Sequence, residues 1–439
     1  MAISKMGALK TKLKALFANE KFYIWATISF LLFQWLIIAI TSVNIPAGDE
    51  WENLAPGGFT EGFSWRYVFS FLNEHRGVFT RLQNLAFLYG TGWNIVYQIH
   101  FNYILFCGMI YFLFWFQKTQ IPGATKGVWC LLFFLASPLI EDNHNWAIQS
   151  FFHYCELFGL LAMYFATKQS LRLKDYFLAV LFAAFSAYAF ATGMFFALMT
   201  VVVLSWRLLK GSEKVGVRVI KLASILALVS AMAFWFVGYH KVPGHPAFVW
   251  PHEWAFWNFF ANLISLGFGF KTDNIVVALL ALGAVTVVLW SSLKEAFSFK
   301  RQFISFAFFA SLAVIGALAS IALSRTGFGI GQAKTSRYAE LSFLLVPFIG
   351  WLWWHLAKTS VRFRQSHRYL IWFICLGYLG NYSYATYFKV QRDREEALVC
   401  IGKYYTGENK EGRCPVLHPA PLAERLDEAK RMKLSWVPL

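Results

Sequence analysis

Long uncharged runs of apolar residues alternate with short polar segments along this 439-residue chain. Most runs have about 17 to 25 residues, the length of an α-helix that crosses the hydrocarbon core of a bilayer. The pattern predicts an all-α fold, a polytopic transmembrane bundle of about eleven helices. The predicted helices are residues 23–43, 93–117, 126–140, 151–167, 176–190, 193–209, 219–238, 273–293, 303–323, 338–357 and 368–388.

Two long segments interrupt this series, at residues 44–92 and 239–272. Both lie on the side opposite the N-terminus in the predicted topology, and we call them the outer loops. Residues 63–72 and 78–89 in the first, and 252–260 in the second, are too short to span a bilayer and are rich in aromatic side chains. Such segments are typical of interfacial helices that lie along the membrane.

No repeat or linker divides the chain, which predicts one transmembrane domain, residues 1–388, and a short polar tail, residues 389–439. The composition agrees, because 58% of the residues are hydrophobic and only 14% are charged, far too apolar for a soluble domain of this length. The first apolar run is too long for a cleaved signal peptide, and residues 1–21 are interpreted as a basic cytoplasmic leader.

The net charge of +17 raises the question of a nucleic-acid partner. The 40 Lys and Arg residues concentrate in the loops on the N-terminal side, as at Arg207, Lys210 and Lys214, whereas the loops on the outer side hold few of them. This distribution is the positive-inside pattern, and it explains the basicity without any nucleic acid. It places the N-terminus in the cytoplasm, and an odd number of crossings then places the tail on the opposite side.

Six cysteines add one constraint. Four fall within predicted helices, where a buried, inert thiol is the expected state. Cys400 and Cys414 lie in the tail, in a compartment predicted to be oxidising, so we predict a disulfide between them. Two free thiols are the alternative.

Ionisable side chains cluster at four places on the outer side, and such residues next to apolar spans are costly and often functional. The candidate residues are Asp49, Glu50 and Trp51; Glu74, His75 and Arg76; Glu141, Asp142, His144 and Trp146; and Lys334, Arg337 and Tyr338.

The two clusters in the first outer loop supply acids and an imidazole that suit general base catalysis. Asp49 or Glu50 would accept a proton from an acceptor hydroxyl, and Glu74 and His75 are further catalytic candidates. The alternatives are a solvated pair at a helix end for Asp49 and Glu50, and an ion pair that orders the loop for Glu74, His75 and Arg76.

Cationic groups could hold an anion such as a phosphate. Arg76 and Arg337 offer bidentate donors, Lys334 adds a point charge, and Tyr338 stands beside them. Helix anchoring at the interface is the alternative for Arg337 and Tyr338.

The remaining candidates are assigned to an acceptor or sugar. Trp51 and Trp146 would stack on a sugar ring, with Glu141, Asp142 and His144 nearby. The same acids and His144 are weak candidates for a divalent cation, and simple solvation of a short loop is the alternative. No cofactor is required by the sequence.

These motifs resemble those of the GT-C superfamily of membrane glycosyltransferases, in which the first outer loop carries an acidic pair, here Asp49 and Glu50. More narrowly, the segment Asn73-Glu74-His75-Arg76 together with Ser336-Arg337-Tyr338 is similar to bacterial proteins related to the O-antigen glucosyltransferases that convert serotype. The likeness covers the first ten predicted helices, but the short tail departs from relatives with large soluble outer domains.

The resemblance implies an inverting transfer of a hexose, often glucose, from undecaprenyl phosphate to an O-antigen or lipopolysaccharide hydroxyl. It implies a bacterial inner-membrane protein with its active site in the periplasm, Asp49 as general base and Arg337 on the leaving phosphate. Two other classes remain open. A transporter or flippase of lipid-linked saccharides would also need a polar cavity and phosphate contacts, and a non-catalytic scaffold would tolerate loss of the acids.

Overall fold

The computed structural model of the chain describes residues 19–438, except for the side chains of Lys126 and His367, so nearly all of the predicted leader at 1–21 lies outside the described residues. In the described part the regular structure is helical and no β-strand is present. The α-helices are α1 Glu20–Thr41, α2 Trp65–Phe69, α3 Val78–Thr91, α4 Ile95–Gln120, α5 Lys126–Leu135, α6 Glu141–Asn145, α7 Ser150–Ala166, α8 Leu173–Ala189, α9 Gly193–Lys210, α10 Val215–Trp235, α11 Trp254–Gly267, α12 Ile275–Ala296, α13 Gln302–Arg325, α14 Ala339–Phe343, α15 Leu345–Thr359, α16 Val361–Asn381, α17 Ala385–Tyr405 and α18 Ala423–Arg431.

Seven helical segments are long and apolar enough to cross a membrane. They are Glu20–Thr41, Ile95–Gln120, Gly193–Lys210, Val215–Trp235, Ile275–Ala296, Gln302–Phe328 and Ser336–Thr359. The other four predicted spans also overlap helices, namely α5, α7, α8 and α16, but these are too short or too polar to qualify by the same measure. The helical membrane character is therefore confirmed, while the number eleven stays a prediction.

Three predicted helices have different boundaries in the structure. The helix predicted at 126–140 ends at Leu135 because Pro138 cannot continue it, and a 3-10 turn, Pro138–Ile140, follows. The helix predicted at 338–357 is divided at Leu344 into α14 and α15. The helix of the last predicted span begins earlier, at Val361. Its first turns carry arginines, and hydropathy alone therefore assigns them to a loop.

The predicted interfacial segments are helical. Residues 63–72 contain the short α2, residues 78–89 correspond to α3, and residues 252–260 contain the first half of α11, which begins at Trp254. Helix α3 ends at Gly92, whose left-handed φ of 62° suits glycine at a helix C-terminus.

The chain forms two compact units. Unit 1 comprises Met1–Gln34, Cys107–Leu139 and Val249–Tyr382, and unit 2 comprises Trp35–Phe106, Ile140–Phe248 and Ser383–Leu439. Unit 2 therefore gathers the first outer loop, helices α6 to α10 and the tail.

Aromatic side chains fill the core of unit 1. Phe306 on α13 lies 4.3 Å from Phe116 and 5.6 Å from Phe348, measured between ring centroids. The indole of the fully buried Trp351 donates a hydrogen bond to Gln117 at 2.7 Å, so its N–H is satisfied inside an apolar core.

Small residues form the core of unit 2, where helices α7 to α10 meet. Ala162, Ala183, Ala187 and Ala197 are buried together, and small side chains let helix backbones approach closely. Gly193 begins α9, where a Cβ atom would lie 1.9 Å from the carbonyl oxygen of Ser186, so only glycine fits this turn.

Candidate functional site

The acidic pair of the first outer loop lies on a 3-10 helix, Gly48–Leu54. Its two carboxylates have opposite environments, since Asp49 is exposed and Glu50 is buried with only 2% of its surface accessible. The sequence alone does not distinguish the environments of these two adjacent acids, whereas the fold exposes one and buries the other.

Glu50 joins two segments of unit 2 through backbone donors. One carboxylate oxygen accepts from the amide of Ala47 at 2.8 Å, and the other accepts from the amide of Ile148 at 2.8 Å. Burial raises the pKa of Glu50 from 4.5 to about 7, against the opposing effects of the Arg394 charge and of these amides. Both oxygens have a structural task, so Glu50 positions the loop.

Arg394 is not among the candidate residues predicted from the sequence. It lies on α17 in the tail, is buried, and donates a hydrogen bond to the carbonyl of Asn145. Burial lowers its pKa, while attraction to Glu50 and Asp142 opposes that change. The tail thus brings a buried cation to the acids, and the only signal in the sequence is the spacing of Tyr387, Arg394 and Ile401 on one helical face.

Asp49 contacts the tight turn formed by residues 72–75. Its Oδ2 accepts a hydrogen bond from the side-chain Nδ2 of Asn73 at 3.0 Å. Asn73 has a left-handed φ of 52°, which asparagine tolerates, within a turn closed by backbone bonds between Leu72 and His75. The carboxylate is therefore oriented and accessible at the surface, and a general base must be able to reach the proton that it accepts.

Gly48 permits this arrangement on the other side. It has a left-handed φ of 53°, and a Cβ atom there would lie 2.7 Å from the ring of Trp146. The Trp146 indole donates to the carbonyl of Ala47 at 2.9 Å, and the residue is half-buried. Trp51, in contrast, is fully buried and packs edge-on against Trp436, which leaves no ring face for the sugar stacking predicted from the sequence.

The side chains of Glu74, His75 and Arg76 contact different parts of unit 2. The Glu74 carboxylate lies 2.5 Å from Nδ1 of His245 in the second outer loop, a residue that is not among the candidates predicted from the sequence. The His75 ring packs on Phe190, with centroids 4.0 Å apart. Neither contact joins Glu74 or His75 to the other acids of the first outer loop.

Arg76 is surrounded by main-chain acceptors. Its guanidinium donates to the carbonyls of Phe69, Trp235 and Val237, and it lies 4.1 Å from the centroid of the Phe71 ring. These contacts occupy all three nitrogens of the group, so they fix the loop to the end of α10. Each of the two terminal nitrogens of the guanidinium carries a second N–H, so a phosphate contact at Arg76 stays a prediction.

The segment 141–146 is buried beside the tail. His144 forms a 2.9 Å hydrogen bond with the hydroxyl of Tyr387, and burial together with the nearby His153 holds the pKa of His144 well below its usual value. Glu141 is buried and Asp142 is half-buried. Across the described residues, no three His, Cys, Asp or Glu side chains are grouped as a metal site, and a neutral, buried His144 packed against Tyr387 serves as a core residue.

The tail is fixed to the first outer loop at several points. Arg425 donates to Glu52 at 2.7 Å and to the carbonyl of Trp51 at 3.2 Å, and the amide of Gly48 donates to Leu417 at 2.8 Å. A disulfide joins Cys400 on α17 to Cys414, with Cα atoms 6.0 Å apart. The residues around Asp49 thus rest on a cross-linked tail.

The remaining phosphate candidates belong to unit 1. Lys334 donates to the carbonyls of Asn262 and Phe270, at 2.9 and 3.0 Å, and to the Ser265 hydroxyl at 2.6 Å. Burial lowers its pKa to about 7, against the opposing effect of Asp273. Its three donors therefore cap the C-terminal end of α11.

Arg337 and Tyr338 occupy a 3-10 turn, Ser336–Tyr338, just before α14. Arg337 is half-buried, and Tyr338 is buried.

Fold and site together define a class. The chain is a helical, multi-pass membrane protein. In unit 2, the exposed Asp49 carboxylate is oriented by Asn73, and the tail of the same unit contains a disulfide. No protein-family model matches the chain, and neither does any curated protein or any solved structure.

Proposed function

We propose that this protein is an inverting glycosyltransferase that moves a hexose from a polyprenyl phosphate to a hydroxyl of an envelope glycan such as lipopolysaccharide O-antigen. The observation that supports it most directly is the difference in environment between the two acids of the pair. Glu50 is used to hold the loop, which leaves Asp49 exposed and oriented by Asn73. An accessible, fixed carboxylate is what deprotonation of an acceptor hydroxyl needs.

In the proposed reaction, Asp49 is the general base. The acceptor hydroxyl gives its proton to the Asp49 carboxylate, and its oxygen attacks the anomeric carbon of the sugar. The bond from that carbon to the phosphate oxygen breaks, and the polyprenyl phosphate leaves with the electron pair. Attack opposite the leaving group inverts the anomeric configuration. In this proposal the protein resides in the bacterial inner membrane, and Asp49 and the tail face the periplasm.

Trp146 gives the proposal a second support. Its half-buried ring covers Gly48, the residue next to Asp49, and an indole face beside the base would stack on a sugar ring. The phosphate contact at Arg337 and the hexose identity rest on the sequence resemblance alone.

The test is acceptor-dependent release of polyprenyl phosphate by purified protein in nanodiscs. Undecaprenyl phosphoglucose is supplied with and without lipopolysaccharide, and undecaprenyl phosphate is followed by mass spectrometry. We expect Asp49→Asn to lower the rate about 10²–10⁴-fold, because it keeps the shape and removes the base. Glu61→Gln is the matched control, since Glu61 is an exposed acid of the same loop and should retain wild-type activity.

A second function, transport of lipid-linked saccharides, is favoured by one observation. Glu156 lies fully buried within α7, in a position that the sequence analysis did not single out, and buried acids in membrane helices often serve ion-coupled transport. Binding of the phosphosugar without release, across several sugars and acceptors, together with Glu156-dependent flux into vesicles, would replace the transferase proposal.

A further inference from the structure

Unit 1 contains a pocket that the proposed reaction does not use. It lies among α5, α15 and α16 and has a volume of about 240 Å³. Its walls are apolar and include Val128 and Leu131 on α5 and Leu370 and Ile371 on α16. The volume is smaller than the roughly 300–1,000 Å³ of pockets for drug-sized ligands, so it suits a segment of one hydrocarbon chain.

Two basic side chains line this pocket. Lys358 is in the last turn of α15 and Arg364 is in the first turn of α16, and both are exposed. Among the described side chains, both charged groups that line the pocket are therefore positive, next to an apolar interior. An anionic headgroup attached to a hydrocarbon chain matches both features.

The surroundings of these cations are ordered by local contacts. Lys358 Nζ lies 3.6 Å from the centroid of the Trp354 ring, and Arg364 Nε donates to the carbonyl of Ala357 at 3.3 Å. The indole of Trp353 donates to the carbonyl of Phe363 at 3.1 Å, which ties α15 to the start of α16. Tryptophans at this position are typical of the membrane–water interface, the level at which lipid headgroups lie.

We propose that this pocket binds one anionic phospholipid of the bilayer, with an acyl chain between α5 and α16 and the phosphate at Lys358 and Arg364. Positive charge near the end of a span attracts anionic lipid, and the pocket gives the chain a fixed place. The inference does not depend on the proposed transferase activity.

Native mass spectrometry of the full chain in detergent tests the site. Phosphatidylglycerol and phosphatidylcholine with the same acyl chains are titrated separately, and retained lipid is counted. We expect selective retention of phosphatidylglycerol. Lys358→Gln with Arg364→Gln should weaken it by roughly 30-fold, since each basic residue near the headgroup contributes about fivefold. Arg362→Gln with Arg368→Gln is the matched control, because it removes the same charge from exposed residues that do not line the pocket.

A second variant tests the chain-binding part. Ala357 lines the pocket, and Ala357→Phe should reduce retention of phosphatidylglycerol by filling the space while both cations remain. Equal retention of the two lipids, or an equal loss in both charge variants, would show a general basic surface and overturn the proposal. It would also be overturned if inorganic phosphate at the lipid's own concentration displaced the lipid, since the chain would then contribute nothing.

Discussion

Environment distinguishes side chains that share the same chemistry. Asp49 and Glu50 are neighbours, yet Asp49 is exposed and Glu50 accepts two backbone hydrogen bonds in the interior. The same holds for the cations. Arg76 is held by carbonyls, whereas Arg394 is placed near carboxylates. A buried guanidinium needs such partners, because an unsatisfied charge in a low-dielectric interior is very costly.

Glu50 predicts a pH dependence of stability. Its folded pKa of about 7 lies above its ordinary value of 4.5, so the folded protein binds more protons between these values. The resulting contribution to stability is complete below pH 4.5 and is lost as the pH rises through about 7, a change of roughly 3 kcal/mol. Glu50→Gln should flatten the melting temperature across this range, and Glu61→Gln should keep the wild-type slope. Thermal unfolding of the detergent-purified protein measures this, and parallel slopes in wild type and Glu50→Gln would exclude Glu50 as the titrating group.

Helix α17 shows how an element at the end of the chain organises the site. One of its faces is buried and carries Tyr387, Arg394, Ala397 and Ile401. Tyr387 reaches His144 and Arg394 reaches Asn145, so the helix holds the segment 141–146 by polar contacts. The opposite face is exposed and charged, which explains why hydropathy alone assigns this helix to a polar tail.

Loss of Arg394 tests this role of α17. Arg394→Leu should destabilise unit 2 by about 3–5 kcal/mol, because it leaves the buried Glu50 without its neighbouring cation. Arg392→Leu, at an exposed position of the same helix, should change stability by less than about 1 kcal/mol. Denaturant titration followed by tryptophan fluorescence reports both values.

A double variant separates charge pairing from simple loss of packing. Glu50→Gln combined with Arg394→Leu removes both charges and should cost less than the sum of the single changes. Strict additivity would mean that the two residues act independently.

At the scale of the whole molecule, the chain alternates between two units, and unit 2 collects the first outer loop and the tail from opposite ends of the sequence. The tail contacts the loop through Arg425 and Leu417, and the disulfide between Cys400 and Cys414 closes the tail on itself. A cross-link of this loop size limits the unfolded tail and is worth about 3 kcal/mol in the chain-entropy view.

The disulfide also tests the predicted topology. In intact cells, a thiol-reactive polyethylene glycol should label Cys400 and Cys414 only after reduction, because the bond persists on the oxidising side of the membrane. A variant with Cys107, Cys130, Cys155 and Cys375 replaced by serine restricts the signal to this pair. Cys400→Ser with Cys414→Ser in that background is the control that should show no labelling. Labelling without reduction would show free thiols and exclude the disulfide, and no labelling even after reduction would place the tail on the cytoplasmic side, which the polymer does not reach.

Local sequence determined the helices, most of their boundaries and the membrane character. Hydropathy and helix length are properties of contiguous residues, and the bilayer sets a fixed length for each span. The predicted ends of α1, α7 and α9 agree with the structure to within a few residues. The Asp49–Glu50 pair and the two tail cysteines were also visible, because charge in a polar loop and cysteine outside the helices stand out against an apolar background.

Tertiary structure alone decided which of these residues is available for chemistry. Burial of Glu50 and Trp51, enclosure of Arg76 and the placement of Arg394 depend on contacts between distant parts of the chain, such as the bond from Arg394 to Asn145 across 249 positions. The apolar pocket of unit 1 likewise needs α5 beside α15 and α16. Hydropathy has no information about such pairs, because burial of a polar group depends on which distant backbone donors and opposite charges the fold brings to it.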